Sequence, residues 1–237
     1  MLEQEMQLGE LKSRYVAMAA HDLRNPLAAI QTAIDVFAKY SDRLTEDQKQ
    51  SRYDRIRGSI QVMVAMLDDI LTIGQVESGR LKFNPAPLEL ISFCQNLVAE
   101  IRQVTHAPQV IDFSYQGDFV MVAMDAKLLR HILANLLSNA IKYSPDEGAI
   151  VFTVSCEHDE TIFFVQDQVI GIPQADQARL FEAFHRADNV GNIPGTGLGL
   201  AIVKQSVDLH GGTITFTSTE GLGTKFTVTI PQPPQSN

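Results

Sequence analysis

The sequence is poor in cysteine, in basic residues and in long apolar runs, and each scarcity excludes a class of protein. Its two cysteines, Cys94 and Cys156, lie far apart without metal-site spacing, so they predict free structural thiols in a reducing compartment. The formal net charge of −9 argues against non-specific nucleic-acid binding, which needs clustered Lys and Arg. No apolar run approaches the roughly 18 residues that span a bilayer, and the polar N-terminal sequence "MLEQEMQLGELKSRY" is unlike a signal peptide. We therefore expect a globular cytoplasmic protein with no membrane segment in this chain and no nucleic-acid partner.

The first third of the chain has the pattern of two long helices. The pattern is helical from Leu8 to about Tyr40, and a heptad seam of apolar residues runs from Tyr53 to Ile70. Thr45 and Gln48 fit a capping box, which predicts that the second helix begins near Glu46. One helical hairpin alone leaves much of its apolar stripe in water, whereas two hairpins bury it in a four-helix bundle. The pattern therefore predicts a homodimer.

A second domain of mixed helices and strands follows a break in this pattern. The segment "ESGRLKFNPAPLEL" has one Gly and two Pro, which marks a domain boundary. Beyond it we predict helices over residues 88–104 and 125–143, and a helix that follows "GTGLGL" and ends at Gly211-Gly212. Four strands are predicted, the last two as a hairpin, at "AIVFTVSC", "TIFFVQD", "GTITFTST" and "GTKFTVTIP". The predicted fold class is α+β, with a helical hairpin domain at 1–80, a mixed domain at 86–231 and a disordered tail at 232–237.

The stretch "AMAAHDLRNPLAAI" places a titratable pair directly before a proline inside a helical pattern. His21 lies roughly opposite the apolar stripe, Asn25 shares its face one turn later, and Asp22 can reach an imidazole nitrogen from the side. Pro26 cannot donate to the carbonyl of Asp22, so we expect the helix to bend there. A His oriented by a carboxylate can act as a nucleophile, and a solvated His at a helix kink is the alternative for this segment taken alone.

In "LLRHILANLLSNAIKYS" polar side chains recur along one face of a predicted helix. His131, Asn135, Asn139 and Tyr143 are spaced by four residues, Lys142 lies near the same face, and leucines occupy much of the opposite side. Amide oxygens suit Mg²⁺, and Lys supplies a counter-charge for phosphate. The pattern therefore indicates a metal and phosphate site, with a plain solvated helix face as the alternative.

Two further segments have the chemistry of a nucleotide site. Asp167 ends the strand "TIFFVQD", where its carboxylate can accept a hydrogen bond from an exocyclic amine, the group that distinguishes adenine from guanine at that edge. Gly195, Gly197 and Gly199 directly precede a helix, where glycine permits close backbone approach and the helical N–H groups bind anions. The segment is not a Walker loop, because the required Gly-Lys-Ser/Thr is missing.

Taken in order, these segments resemble the sensor histidine kinases of two-component signalling. "HDLRNPL" resembles the phosphoacceptor box, "NLLSNAIKYS" the Asn box and "DQVIGI" the first Gly box. "LFEAFHR" resembles the Phe box of the ATP lid, and "GTGLGLAIVK" the second Gly box. Five boxes in the family's order, over nearly the whole chain, make this resemblance specific. It implies a dimeric helical bundle followed by an α/β sandwich ATP-binding domain of the gyrase and histidine-kinase type.

The resemblance implies an ATP-dependent, autophosphorylating protein-histidine kinase. His21 would accept the phosphoryl group, Asp22 would activate it as an acid/base, and Asn25 would help to position water when a cognate phospho-regulator is dephosphorylated. ATP·Mg²⁺ would bind the second domain beneath a lid of roughly residues 173–194. The phosphoryl group would then pass from His21 to an aspartate in the receiver domain of a response regulator.

The resemblance also implies a set of nucleotide-binding residues. Asn139 would hold Mg²⁺, Asp167 would read adenine, and Thr224 would assist adenine binding through water. The complete implied set is Asn135, Asn139, Lys142, Tyr143, Asp167, Gly171, Gly195, Thr196, Gly197, Leu198, Gly199, Leu200 and Thr224.

One position departs from the family's pattern. The first Gly box usually reads Asp-x-Gly-x-Gly, whereas Val169 occupies its first Gly position here. A β-branched residue restricts the backbone where the family runs close to the base. Two alternatives accompany the kinase interpretation: a dimeric scaffold or phosphatase whose nucleotide use Val169 has impaired, and, independently of Val169, a clamp-type ATPase that forms no phosphohistidine.

The N-terminal residues resemble the end of a longer signalling helix. The sequence "EQEMQLGELKSRYV" is amphipathic almost from the first residue. We therefore expect an upstream sensor domain that is missing from this chain.

Overall fold

The chain is described by a computed structural model over residues 23–40, 43–77, 82–105, 109–117, 121–144, 148–157, 159–168, 170–191, 193 and 195–232. It forms two compact units, Met1–Glu77 and Ser78–Asn237. The limits predicted for the two domains stay predictions, and the predicted tail lies outside the described residues apart from Gln232. Within the described ranges, no helix combines the length and the apolar character needed to cross a membrane.

The first unit contains two long helices. Residues 23–40 are helical (α1), and α2 spans Glu46–Glu77. The capping box forms as predicted, because the N–H of Gln48 donates to Thr45 Oγ1 at 3.3 Å and the N–H of Thr45 donates to Gln48 Oε1 at 3.2 Å. The predicted start of the second helix is therefore confirmed, whereas the predicted first helix before residue 23 lies outside the described residues.

The apolar seam of the first unit is only partly covered within one chain. The rings of Phe37 on α1 and Tyr53 on α2 lie 4.9 Å apart, and Ala33 and Met66 are buried. Several other apolar side chains stay about half exposed, which is unusual for positions at heptad spacing. They include Leu27, Ile34, Tyr53, Ile60, Leu67 and Leu71.

The second unit is built on a five-stranded mixed sheet. The described strands of this unit are β1 Ala86–Leu88, β2 Val110–Gln116, β3 Val122–Met124, β4 Ala149–Glu157, β5 Glu160–Gln166, β6 Thr213–Thr219 and β7 Gly223–Pro231. The strand order of the sheet is β2-β4-β5-β7-β6, with β2 parallel to β4 and all other pairs antiparallel. A separate two-stranded sheet pairs β1 with β3. The four predicted strands and the terminal hairpin are confirmed, whereas β1, β2 and β3 were not predicted.

Three helices pack on this sheet and complete an α/β sandwich. They are α3 Leu90–Thr105, α4 Ala126–Tyr143 and α6 Gly199–Leu209, and a one-turn helix, α5, spans Gln174–Gln177. Alternate strand residues such as Phe152, Phe163 and Val228 are fully buried and form one core with the leucines of α4. Cys94 is buried in this core, where desolvation raises the pKa of its thiol to about 12, and both cysteines are free as predicted. The predicted fold class, a helical hairpin followed by an α/β sandwich, is confirmed.

Asp125 fixes the start of α4. Its Oδ1 accepts hydrogen bonds from the N–H groups of Lys127 and Leu128, and its Oδ2 accepts one from the N–H of Asn84 at 2.9 Å. Its own N–H donates to Nε2 of the buried His210, just beyond the end of α6. One buried residue thereby connects the entry segment of the second unit with the ends of two helices.

Candidate nucleotide site

The predicted phosphoacceptor region is described only in part. His21 and Asp22 lie outside the described residues, so their roles stay predictions. Asn25 is exposed on α1 and Pro26, the next residue, is buried. An exposed amide at position 25 is free to approach a partner protein, which its predicted role requires.

The polar face of α4 carries four of the predicted nucleotide residues. Asn135, Asn139, Lys142 and Tyr143 are half-buried, while the opposite face of the helix is buried as predicted. Lys142 Nζ lies 3.0 Å from the hydroxyl of Tyr143 and 4.6 Å from the centre of its ring, a cation–π contact. Asn139 makes no side-chain hydrogen bond within the part of the chain that the structure describes. Its amide oxygen is therefore available to a metal ion or a phosphate-bound water.

The glycine segment before α6 approaches this face closely. A Cβ atom added at Gly199 would lie 2.5 Å from Asn135 Oδ1, and one added at Gly195 would collide with Lys142 Nζ. Asn135 has little room to withdraw, because its Nδ2 donates to the carbonyl of His131 at 2.9 Å. The absence of side chains thus brings the start of α6 against the Asn135 amide and the Lys142 ammonium group of α4.

The start of α6 is suited to binding an anion. The N–H of Leu198 donates to Thr196 Oγ1 at 3.2 Å, which orders the turn, and Leu198 itself is buried. Leu200 packs against the core from the first turn of the helix. Among the described residues no side chain caps this terminus, so the first helical N–H groups are available to a ligand.

Asp167 and Thr224 form a tight pair where β5 and β7 meet. The N–H of Asp167 donates to the carbonyl of Thr224 at 2.9 Å, and the N–H of Thr224 donates to Asp167 Oδ1 at 3.0 Å. Thr224 is buried, and its Oγ1 lies 2.8 Å from Ser218 Oγ. This arrangement orients a carboxylate beside a hydroxyl, which together can recognise an amine and an adjacent acceptor on a base.

The turn after Asp167 lies against the β6–β7 hairpin. Gly171 has a φ of +57°, and a Cβ added there would lie 2.6 Å from the carbonyl carbon of Thr219. The N–H of Gly221 donates to the carbonyl of Ile170 at 2.9 Å. Val169 lies outside the described residues, so its predicted effect on the base site stays a prediction.

The predicted lid has an ordered base that the sequence did not reveal. Asp176 in α5 is buried, accepts a hydrogen bond from the N–H of Asp188 at 3.1 Å, and lies 3.2 Å from Nε2 of His185 in a close but poorly aligned contact. Asn189 Nδ2 donates to the carbonyls of Ile170 and Gly171. These bonds hold the lid segment against the turn that follows Asp167.

A residue with an unusual backbone conformation lies in the same segment. Phe184 has a φ of +64°, a region that side-chain-bearing residues rarely adopt. Its N–H donates to the carbonyl of Gly197 at 2.9 Å, which joins the predicted Phe box to the second Gly box. Nothing in the periodicity of the sequence signals this contact, because it depends on the path of the intervening loop.

Two family descriptions match the chain and together cover more than half of it. Residues 11–79 match the His Kinase A (phospho-acceptor) domain. Residues 124–234 match the histidine kinase-, DNA gyrase B- and HSP90-like ATPase.

Curated proteins similar to this chain include three bacterial kinases. The circadian input-output histidine kinase CikA of Synechococcus elongatus is 33% identical over 93% of this chain and 30% of its own length. The sensor histidine kinase WalK of Bacillus subtilis is 29% identical over 97% of the chain and 38% of its own length. The adaptive-response sensory kinase SasA of Synechocystis is 31% identical over 97% of the chain and 61% of its own length. The chain spans about a third of the length of the first two.

Solved structures share the fold. Histidine kinase AdeS of Acinetobacter baumannii aligns with a TM-score of 0.66 at 23% identity, over 89% of this chain and 97% of its own. Full-length ShkA in complex with AMPPNP aligns with a TM-score of 0.67 at 21% identity, over 95% and 47%. Histidine kinase ThkA in complex with the response regulator TrrA aligns with a TM-score of 0.61 at 22% identity, over 99% and 65%.

Both parts of a kinase core are therefore present, in the same order as in these relatives. The chain belongs to the sensor histidine kinases and comprises their catalytic core, a phosphoacceptor helical domain followed by an ATP-binding domain.

Proposed function

We propose that this chain transfers the γ-phosphoryl group of ATP to His21 and passes it on to an aspartate of a response regulator. The close approach of Gly199 to Asn135 carries the proposal. It brings uncapped helical N–H groups, the amide of Asn135 and the ammonium of Lys142 to one place in the second unit. Donors and positive charge converging in this way fit a chain of phosphates.

Adenine binding is assigned to the pair at the end of the sheet. Asp167 would accept a hydrogen bond from the exocyclic amine, and Thr224 would complete the contact through water. The reciprocal backbone bonds between these residues support the assignment, because they fix the carboxylate before any ligand arrives. Asn135, Lys142 and Tyr143 would line the phosphates, together with residues 195–200.

Asn139 is proposed to hold Mg²⁺ together with the nucleotide phosphates. Within the described ranges, no group of three or more His, Cys, Asp or Glu side chains could hold a metal ion. A magnesium ion usually keeps several waters and takes one or two protein ligands plus substrate phosphates. A single amide that makes no side-chain hydrogen bond among the described residues suits that role. When bound, the ion would neutralise the charge that develops on the phosphates.

Phosphoryl transfer in this proposal depends on orientation more than on covalent chemistry by the protein. A nitrogen of His21 would attack the γ-phosphorus in line while the bond from that phosphorus to the β–γ bridging oxygen breaks and ADP leaves, and Asp22 would accept or share the imidazole proton. Asn25 would act in the reverse direction, when a phospho-regulator is hydrolysed. Its exposure on α1 supports a role toward a separate protein.

We further propose that the helical unit forms a homodimer and binds a response regulator. The half-exposed seam residues of α1 and α2 support pairing, since a second hairpin would remove them from water. A structurally similar kinase, ThkA, was solved in complex with the response regulator TrrA, which supports a regulator as the second partner.

The direct test is incubation with γ-labelled ATP and Mg²⁺, comparing the wild type with His21→Gln. We expect the wild type to gain an acid-labile, base-stable label and the variant to gain none, while ATP binding and dimer formation persist. Asn25→Ala should keep the label but weaken dephosphorylation of the cognate regulator. Undiminished labelling of His21→Gln would refute the phosphoacceptor assignment. Saturable ATP binding and hydrolysis without any label would favour the clamp-type ATPase, and no binding at all the scaffold.

A further inference from the structure

The hydroxyl of Ser218 lies at a junction beside the nucleotide site that the assigned residues do not include. Ser218 is half-buried near the end of β6, and its Oγ lies 2.8 Å from Oγ1 of Thr224 on the neighbouring strand. The same oxygen accepts a hydrogen bond from the N–H of Ile172 at 2.8 Å and donates to the carbonyl of Gly223 at 3.1 Å. A single hydroxyl thus connects the base-reading strand with the segment that begins the lid.

We propose that Ser218 is a positioning residue for adenine recognition and that it acts through Thr224. The inference rests on the proposed function, because it takes Asp167 and Thr224 as the groups that meet the base. The backbone of Thr224 is already held by Asp167, so the remaining freedom of its side chain is rotation about χ1. The hydrogen bond to Ser218 selects one staggered position of that rotation.

Ser218 is itself held from two sides, which makes it a firm support. The N–H of Ile172 occupies one lone pair of its hydroxyl oxygen. Gln177 Nε2 donates to the carbonyl of Ile172 at 3.0 Å and to the carbonyl of Ser218 at 3.4 Å. The first turn of the lid and the end of β6 are therefore joined beside Thr224. A displacement of either segment would shift the hydroxyl of Ser218 and, through it, the hydroxyl of Thr224.

The protons of this junction suit adenine. Ser218 has one hydroxyl proton, which it can donate either to the carbonyl of Gly223 or to Oγ1 of Thr224. When it donates to Thr224, the proton of Thr224 is released toward the ligand. A bridging water that accepts this proton from Thr224 would donate one of its own onward, so Asp167 as acceptor and this water as donor match the amine and the adjacent ring nitrogen of adenine. Guanine presents the reverse order of donor and acceptor at that edge, so the same pair disfavours it.

The first test compares the affinities of Ser218→Ala for ATP and GTP with those of the wild type. We expect ATP affinity to fall by about five- to tenfold, the worth of a hydrogen bond, with GTP affinity nearly unchanged. Ser114→Ala is a matched control, because Ser114 Oγ also pairs with a threonine, Thr153 Oγ1 at 3.1 Å, on the adjacent strand β4 of the same sheet. The control should change neither affinity.

The second test asks whether the effect passes through Thr224. Thr224→Val keeps the shape of the side chain and removes only its hydroxyl. In that background Ser218→Ala should cost no further ATP affinity, whereas additive losses would overturn the inference. Ser218→Thr, which keeps the hydroxyl, should retain ATP affinity. If Ser218→Ala does not fold, unchanged discrimination between ATP and GTP in Thr224→Val overturns the inference by itself.

The outcomes separate this inference from the proposed function. A wild-type protein that does not bind ATP would overturn both. A wild type that prefers ATP, combined with equal losses of ATP and GTP affinity in Ser218→Ala, would overturn only the role of Ser218. Equal losses would mean that the hydroxyl supports the backbone and not the contact with the base.

Discussion

Replacing Gly171 by alanine should separate two effects that meet in the turn after Asp167. The first is conformational, because an L-residue at a φ of +57° lowers the free energy of unfolding by on the order of 1–2 kcal/mol. The second is steric, because the new Cβ would lie 2.6 Å from the carbonyl carbon of Thr219 and 2.8 Å from Cα of Glu220. Backbone atoms cannot rotate away as a side chain can, so the turn itself must move. Overpacking of this kind costs about 1–3 kcal/mol more.

Gly221 provides the matched control within the adjacent hairpin. It has a φ of +79°, and an added Cβ would meet nothing within 4 Å. Gly221→Ala should therefore lose only the conformational part, on the order of 1–2 kcal/mol. In a domain of this size, 1 kcal/mol corresponds to roughly 2–4 °C in Tm. In thermal unfolding, the decrease in Tm for Gly171→Ala should be at least about twice the decrease for Gly221→Ala.

The same pair of variants should differ in nucleotide binding. The carbonyl of Gly171 accepts a hydrogen bond from Asn189, so a displaced turn would disturb both Asp167 and the base of the lid. Calorimetric titration should give weaker ATP binding for Gly171→Ala and near-normal binding for Gly221→Ala. Equal losses of Tm in the two variants would refute the close approach on which this reasoning depends.

Three further predictions concern separate parts of the chain. Asn139→Ala should abolish Mg²⁺-dependent ATP binding, whereas Ser138→Ala, at the exposed neighbouring position, should not. If Asn139→Ala binds ATP as tightly as the wild type in the presence of Mg²⁺, the metal role is wrong. Val169→Gly should tighten ATP binding by roughly tenfold to hundredfold and slightly lower the Tm, as calorimetry would measure, and unchanged affinity would mean that the valine is accommodated. Burial, and then the carboxylate of Asp68, raise the pKa of Asp69 to about 6, so the helical unit loses stability as the pH rises through that value. Asp69→Asn should therefore stabilise the unit on the order of 1–2 kcal/mol at pH 8 and hardly at pH 4.

Elements with a strong local signal were predicted well. The capping box at Thr45 fixes the start of α2 with bonds three residues apart, and the four strongest strands show β-branched and aromatic alternation. The strand β2 has the same alternation, with Ile111, Phe113 and Tyr115 between polar residues, and could have been predicted from it. The three-residue strands β1 and β3 are too short for any period, and only pairing with each other defines them.

The residues of the candidate site also differ in whether the sequence alone could identify them. Chemistry that resides in one segment, such as the amide face of α4 or the glycines before α6, was visible in the sequence. Contacts made across the fold were not, because they depend on how distant elements pack. Ser218 is an ordinary polar residue of an alternating strand until β7 brings Thr224 beside it. Asp176 is one of many acidic residues until the lid folds Asp188 and His185 around it.

The hydrogen bonds of Asp125 couple local unfolding of the segment around Asn84, where the chain enters the second unit, to local unfolding of the first turn of α4. The two carboxylate oxygens of Asp125 accept bonds from Asn84 and from the first turn of α4, so a rotation of this one side chain breaks both sets of bonds together. Amide protons of Asn84 and Lys127 should then exchange with solvent at similar rates, since one fluctuation exposes both. The helix that carries the amides for the phosphates is thereby thermodynamically coupled to the point where the chain enters its unit. A ligand that stabilises α4 would also slow exchange in the entry segment, although it touches none of its atoms.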